Sequence, residues 1–380
     1  MVSSIIYGGL DVHKESISAY LIKVDTGEVI TEEVKNDRDK LVKAVKRWAK
    51  LGELQLCYEA SSAGYVVKRW LDELKEHGEC AVNCEVIAPS LIPKAPGDRV
   101  KTDKRDAKRL ALLYKAGLLQ PVRVPNQEEE TVRALVRLMT SLTRDLTRGK
   151  NRATKYLRSL GNVYSEKTTW SERHRIWIAS LPLGEIERLI VQTHLDSIDS
   201  LQSRKDELGK RLEQLAQGEA YWPRVQRLMS LRGIGVYSAM VLITEIGDAK
   251  RFGSAAQLMS YFGLVPGENS SGDKERRGRI TKAGNSYARW ILAEAAWNQR
   301  FRPGSSARLR KHWPTQPKEV VEIAKKAEQR LHKKYWKIAV RKDPRIAATA
   351  VAREMAGFVW ALLTLDRDPS LARTQELAAV

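Results

Sequence analysis

The stretch Ser4-Ile5-Ile6-Tyr7-Gly8-Gly9-Leu10-Asp11 decides the fold. It is a short apolar run without helical spacing, and it reads as a buried strand whose last residue is a carboxylate. Working outward, residues 16–24 read as a second, partly alternating strand. Residues 27–34 read as a third, after a turn at Asp25-Thr26-Gly27. Leu41, Val45 and Trp48 carry helical spacing within residues 37–50. A strand at 54–59 then ends on Glu59, a helix covers about 64–77, and a strand at 84–88 is closed by Pro89. An amphipathic helix spans 103–117.

That order is three strands, helix, strand, helix, strand, helix. It predicts an α/β layer on a mixed sheet, in the ribonuclease H-like order. Residues 126–217 show no strand signal and long helical periodicity with charged faces. They predict extended helices, a coiled-coil arm, with breaks near Gly161 to Ser171 and at Pro182. Residues 224–300 read as a compact all-helical unit, and residues 319–365 as two helices divided near Pro344. The expected division is 1–122, 123–220 and 221–365, with a polar tail at 366–380.

Among 380 residues, 66 Lys+Arg face 46 Asp+Glu, a net charge of +20. The excess is not spread evenly. Residues 99–158 hold 16 basic and 6 acidic side chains, and residues 276–345 hold 20 and 5. Residues 1–98 hold 13 basic and 16 acidic ones. Two basic blocks are the footprint of a polyphosphate partner, so nucleic acid is expected. At 43% hydrophobic residues, wholesale disorder is excluded. No run of about 18 apolar residues is apparent, so no membrane span is expected. Met1 to Leu10 enters a strand with no preceding basic region, which argues against a secretory signal. Cys57, Cys80 and Cys84 are read as ordinary thiols of a reducing cytoplasm.

The acidic residues supply the chemistry. Asp11 and Glu59 end strands that neighbour each other in this kind of sheet. Asp103 and Asp106 are three apart on one helix and face the same way. Four carboxylates in one place repel and call for a hard divalent cation, Mg²⁺ or Mn²⁺. Two such ions would stabilise the attacking and leaving oxygens of a phosphodiester. Arg99, Lys101, Lys104 and Arg105 set these acids in a basic segment suited to nucleic acid. Taken singly, each acid also has a structural reading: a helix cap for Asp103, a strand end for Glu59, a turn former for Asp11. His13, two residues after Asp11, reads as a surface or supporting group rather than a ligand.

Two further motifs stand in the second half. Arg232-Gly233-Ile234-Gly235, between helical stretches, resembles a helix–hairpin–helix, in which Gly233 and Gly235 would let backbone N–H groups approach a phosphate. The alternative is an ordinary helix–helix turn. Ser270-Ser271-Gly272 precedes Arg276, Arg277, Arg279 and Lys282, so a serine nucleophile beside cations is conceivable. On chemistry alone a loop serine is the plainer reading.

Gly9-Leu10-Asp11-Val12-His13-Lys14, Tyr58-Glu59-Ala60-Ser61 and Lys101-Thr102-Asp103-Lys104-Arg105-Asp106-Ala107 together resemble the DEDD-type insertion-sequence transposases, the bridge-RNA-guided serine recombinases. Gly263-Leu264-Val265-Pro266, Ser271-Gly272 and Gly278-Arg279-Ile280-Thr281-Lys282-Ala283-Gly284-Asn285 carry the second half of the likeness, which spans roughly residues 5–300. The resemblance implies a resolvase-like domain binding Mg²⁺ through Asp11, Glu59, Asp103 and Asp106. It implies a helical linker for self-association and a transposase domain whose serine forms a phosphoserine link to DNA. By motif position that serine is Ser271, with Ser270 adjacent and Ser286 ranked lower. It further implies target and donor DNA, an element-encoded guide RNA, and a dimer assembling to a tetramer in which one protomer's acids serve another's serine. Location in the cytoplasm, at the nucleoid, follows from the same likeness. Two other readings share the features: a Mg²⁺-dependent junction resolvase in which water attacks, and a non-catalytic nucleic-acid-binding protein.

Overall fold

A computed structural model describes residues 4–61, 63–93, 103–268 and 277–365, the side chains of Lys104 and Arg277 excepted. Arg99, Lys101, Ser270, Ser271, Arg276 and the expected tail therefore lie outside the described residues. Contacts divide the chain into two units, Met1–Pro125 and Asn126–Val380.

The first unit follows the expected element order. It runs β1 (Ile5–Val12), β2 (Ser16–Lys23), β3 (Val29–Lys35), α1 (Arg38–Ala49), β4 (Glu53–Glu59), α2 (Val66–Glu76), β5 (Val82–Ile87) and α3 (Asp103–Lys115). The five strands form one mixed sheet in the order β3-β2-β1-β4-β5. β1 pairs antiparallel with β2 and parallel with β4, with Leu10 opposite Tyr58. Asp11 and Glu59 thus end adjacent parallel strands at the same edge. Ile6, Leu10, Leu54, Leu56 and Tyr58 are buried in the core with Trp48 from α1. Asp37 caps α1, its side chain accepting from the Lys40 N–H.

Gly9 fixes how α3 lies on the sheet. A Cβ there would stand 2.2 Å from the Ala107 carbonyl oxygen and 2.6 Å from the Ala111 nitrogen. Only a residue without a side chain lets the helix backbone settle directly on β1. Ala107, Leu110 and Ala111 are consequently buried. Cys57 is sealed in this unit, its Sγ 3.7 Å from the Leu110 carbonyl oxygen, and burial holds its thiol pKa well above the ordinary value. All three cysteines are free.

The second unit opens with α4 (Gln127–Ser159), α5 (Glu172–Ser180) and α6 (Glu185–Ala216). Asn126 and Glu129 close the start of α4 with a reciprocal capping box. Buried Val132, Val136, Met139, Leu146 and Ala153 on α4 and Val191 and Ile198 on α6 recur at three-, four- and seven-residue intervals, which makes a continuous seam between the two long helices. The unit continues through α7 (Trp222–Met229), α8 (Val236–Ile246), α9 (Ala255–Tyr261), β6 (Pro266–Glu268), β7 (Arg277–Ile280), α10 (Ser286–Ala296), α11 (Ala307–His312), α12 (Lys318–Ala339) and α13 (Pro344–Leu363).

One expectation needs correction. The second unit is not all-helical, because β6 and β7 pair antiparallel. Strands of three and four residues, one reading Arg-Gly-Arg-Ile, carry no readable alternation. Among the described residues one helix, α13, is long and apolar enough to cross a membrane. Its Val351, Ala352, Met355, Val359 and Leu362 pack in the core of the second unit, against α9, α10 and α12, so it reads as a core helix.

Candidate active site

The acidic site is built at the carboxyl ends of β1 and β4 and the first turn of α3. Between β1 and β2 the chain turns tightly, with the His13 N–H donating to the Ser16 carbonyl at 2.9 Å. The Asn36 side chain donates to the His13 carbonyl at 2.7 Å. That clamp ties the His13 backbone, and the ring lies beside the acids. Its Nε2 lies 3.1 Å from Asp11 Oδ2 and 3.3 Å from Asp103 Oδ1. The Asp11, His13 and Asp103 donor atoms all lie within 4.8 Å of one another, a spacing that suits one cation.

Asp11 is 19% exposed. Burial raises its carboxyl pKa above the ordinary value; His13 opposes the rise, and Asp106 and Asp103 add to it. Asp106 is 18% exposed, with Oδ1 3.9 Å from an Arg109 guanidinium nitrogen. Its Oδ2 is buried with no hydrogen-bond partner. A buried carboxylate oxygen left this way costs free energy unless a cation takes it. Glu59 stands outside the tight group but lines the same cleft as Asp11 and His13, of about 640 Å³, with Asn36 and Ser61.

The structure therefore brings Asp11 and Asp103 together with His13, places Asp106 near enough to act on the Asp11 charge, and sets Glu59 on the rim of the Asp11 cleft. His13 is exposed and hydrogen-bonded to Asp11, which agrees with a surface or supporting group, and its position beside Asp103 as well comes from the fold rather than from the sequence. Oxygen donors with one imidazole suit Mg²⁺ or Mn²⁺. The unpaired Asp106 oxygen and the raised Asp11 pKa are both compatible with a cation there.

In the second unit, Gly233 follows α7 at φ +85°, where a Cβ would meet the Ala295 carbonyl oxygen at 2.6 Å. Gly233 is thus required by packing. Gly235 has nothing within 4 Å of a Cβ position and precedes the first turn of α8, so packing does not require a glycine there. Both glycines line a cleft of about 490 Å³ with Ser306 and Arg308. Arg232, beside them, is committed elsewhere: its guanidinium donates to Glu328 at 2.9 and 2.6 Å in a buried ion pair.

β6 and β7 bracket residues 269–276, the segment holding the serine expectation. The base of this hairpin is tied by the Thr281 N–H donating to Val265 at 2.9 Å and the Lys282 N–H to Gly263 at 3.1 Å. Lys282 sits at φ +55°, a conformation few non-glycine residues adopt. Arg279 and Lys282 are exposed on this hairpin, and Arg105 is exposed on α3. Asn285 caps α10 and donates to Glu245 at 2.7 Å, while Arg137 grips the same buried carboxylate at 2.6 and 2.8 Å.

Two family profiles match the chain: the DEDD transposases of the IS110 type over residues 8–161, and the IS116/IS110/IS902 transposase family over residues 225–311. A transposase-named protein of Sinorhizobium fredii, y4qE, is 37% identical over 319 residues, covering 83% of this chain and 76% of that protein. The transposase for insertion sequence element IS1533 of Leptospira borgpetersenii is 30% identical, covering 87% of this chain and 95% of that protein. The chain belongs to the IS110/IS116/IS902 family of insertion-sequence transposases. As a DEDD transposase it is an enzyme that acts on DNA, and its acidic cluster belongs to a domain type that uses divalent metal.

Proposed function

We propose that this transposase excises and inserts its own element by Mg²⁺-dependent strand cleavage and exchange, with Ser271 as nucleophile. The observation that carries the proposal is the convergence of Asp11, His13 and Asp103 at the carboxyl end of β1, with Asp106 acting on the Asp11 charge from the same helix turn as Asp103. Asp11, Glu59, Asp103 and Asp106 would hold Mg²⁺ or Mn²⁺, and the first unit would then be a ribonuclease H-like or resolvase-like domain. Such a cation, when bound, neutralises charge on the scissile phosphate and lowers the pKa of an oxygen nucleophile.

The Ser271 hydroxyl loses its proton and attacks phosphorus. One O–P bond forms, one DNA O–P bond breaks, and the leaving DNA oxygen takes up a proton. A second DNA hydroxyl then displaces the serine, so the phosphoester is conserved and no external energy is needed. Arg276, Arg277, Arg279 and Lys282 would steady the phosphate near that serine. Gly233 and Gly235 would hold a flanking phosphate on backbone N–H groups. Arg99, Lys101, Lys104 and Arg105 would meet the backbone near the acids.

The functional division we propose is residues 1–122 for metal, 123–220 as a coiled-coil arm for self-association, and 221–365 for serine chemistry. The α4–α6 seam supports the coiled-coil arm, and the family likeness supports its self-association, a dimer assembling to a tetramer. The protein's DNA partners would be target and donor sites, selected by an element-encoded guide RNA. The test is a denaturing gel of metal-loaded protein with labelled element-end DNA. Wild type is expected to give a protein-shifted band and Ser271→Ala none, with DNA binding retained. Adducts at wild-type level in that variant remove Ser271 from the role. Free cut ends with no adduct in wild type favour the resolvase reading, in which water attacks. DNA binding without cleavage under any metal favours a non-catalytic binding protein.

A further inference from the structure

The groove between α12 and α13 carries a second charge constellation, beyond the residues matched by either family profile. Arg330, Lys333, Lys334, Lys337 and Arg341 recur at three- and four-residue spacing and form one stripe; with Lys342 they line a groove of about 680 Å³. Ile338, Ile346 and Ala350 contribute apolar lining from both sides. The lone lining acid is Glu354, a buried residue of α13. Its carboxylate is gripped by Arg330 and, at 2.6 Å, by Lys334.

Glu354 orders two of the cations and leaves a large surplus of positive charge. Lys333 and Lys337 are like charges one helical turn apart on α12, which destabilises a helix, and Arg341 adds a further positive charge just past its end. Scattered lysines would give solubility without that cost. A polyanion lying along the stripe would relieve it, and an acidic ligand too small to span several turns would not. From Arg330 to Arg341 the stripe is roughly 16 Å long, enough to meet about three to five successive phosphates.

We infer that the α12–α13 groove binds a phosphodiester backbone along the Arg330–Arg341 stripe, as a nucleic-acid surface separate from the acid cluster and the serine hairpin. This rests on the transposase reading only in expecting that nucleic acid is present. Lys333, Lys337 and Arg341 are exposed, so the variant Lys333→Gln/Lys337→Gln/Arg341→Gln leaves the core intact. Lys40→Gln/Lys43→Gln/Lys75→Gln, on exposed positions of the first unit, is the charge-matched control.

The experiment measures affinity of the full chain against salt, for a labelled DNA duplex and for an RNA hairpin of similar length. The groove variant is expected to bind at least one of them about tenfold or more weakly at moderate salt. Its log–log salt slope should be shallower by about 2–3 units, as loss of three phosphate contacts requires. The control should change neither quantity. Loss for the duplex alone assigns the groove to DNA, and loss for the hairpin alone assigns it to RNA. Unchanged affinity and slope for both ligands, or an equal loss in the control, overturns the proposal while leaving the adduct test of Ser271 untouched. Wild type that binds neither ligand defeats both readings.

Discussion

Replacing Gly9 with alanine tests how the acidic site is assembled. The added methyl would sit 2.2 Å from the Ala107 carbonyl oxygen, 2.6 Å from the Ala111 nitrogen and 2.8 Å from the Leu110 Cβ. These are helix backbone atoms and a Cβ, so no side-chain rotation relieves the clash. The helix must retreat from β1 by about 1 Å to reach ordinary contact. Overpacking of this kind costs about 1–3 kcal/mol, or roughly 5–15 °C in the melting temperature of a unit this size. The retreat also carries Asp103 and Asp106 away from Asp11, and Mn²⁺ affinity should fall about tenfold or more. Gly8→Ala is the comparison: its methyl would meet the tips of Leu21 and Leu56, each at 2.5 Å, which are flexible ends. It should cost less stability and leave metal affinity within about threefold. Calorimetric melting and Mn²⁺ titration read both effects. Wild-type melting and metal affinity in Gly9→Ala, or a greater loss of metal affinity in Gly8→Ala, would refute the reasoning.

Other outcomes follow from single residues. Asp11 has its pKa raised in the folded chain, so metal-free protein gains stability as pH falls through that raised value toward the ordinary carboxylate range. Asp11→Asn should flatten this dependence in denaturation with chelator present and, by relieving repulsion, raise stability by about 0.5–2 kcal/mol. Metal binding runs the opposite way and weakens as pH falls, because protons compete for the carboxylates. Glu328→Ala would strand the Arg232 guanidinium, which also donates to the Arg302 carbonyl and the Ser305 hydroxyl, each at 3.0 Å. The expected loss is about 3–5 kcal/mol by chemical denaturation, and a loss under 1 kcal/mol would contradict the buried pair.

The elements that run long or alternate cleanly were legible in the sequence. The apolar run before Asp11, the strand ending at Glu59 and the helix beginning at Asp103 all fall within a residue or two of β1, β4 and α3. The long helices on either side of Gly161 and Pro182 were legible for the same reason, since their apolar seams repeat many times. What escaped were features set by distant contacts. The β6–β7 hairpin is too short to show a period. The Asn36 tie to the His13 carbonyl reaches across β2 and β3. The apolar length of α13 reflects burial on several sides, which a one-dimensional pattern cannot separate from a membrane helix. The tie between Glu354 and the α12 cations joins residues twenty or more positions apart. Ser271 and the segment around it lie outside the described residues, so its role rests on motif position.

The most direct measurement is a calorimetric Mn²⁺ titration of the metal-free protein beside Asp103→Asn/Asp106→Asn, with no nucleic acid present. If β1, β4 and α3 together form a cation site, wild type shows saturable binding that the double variant loses. Equal binding in both proteins would place the cation elsewhere and contradict the account.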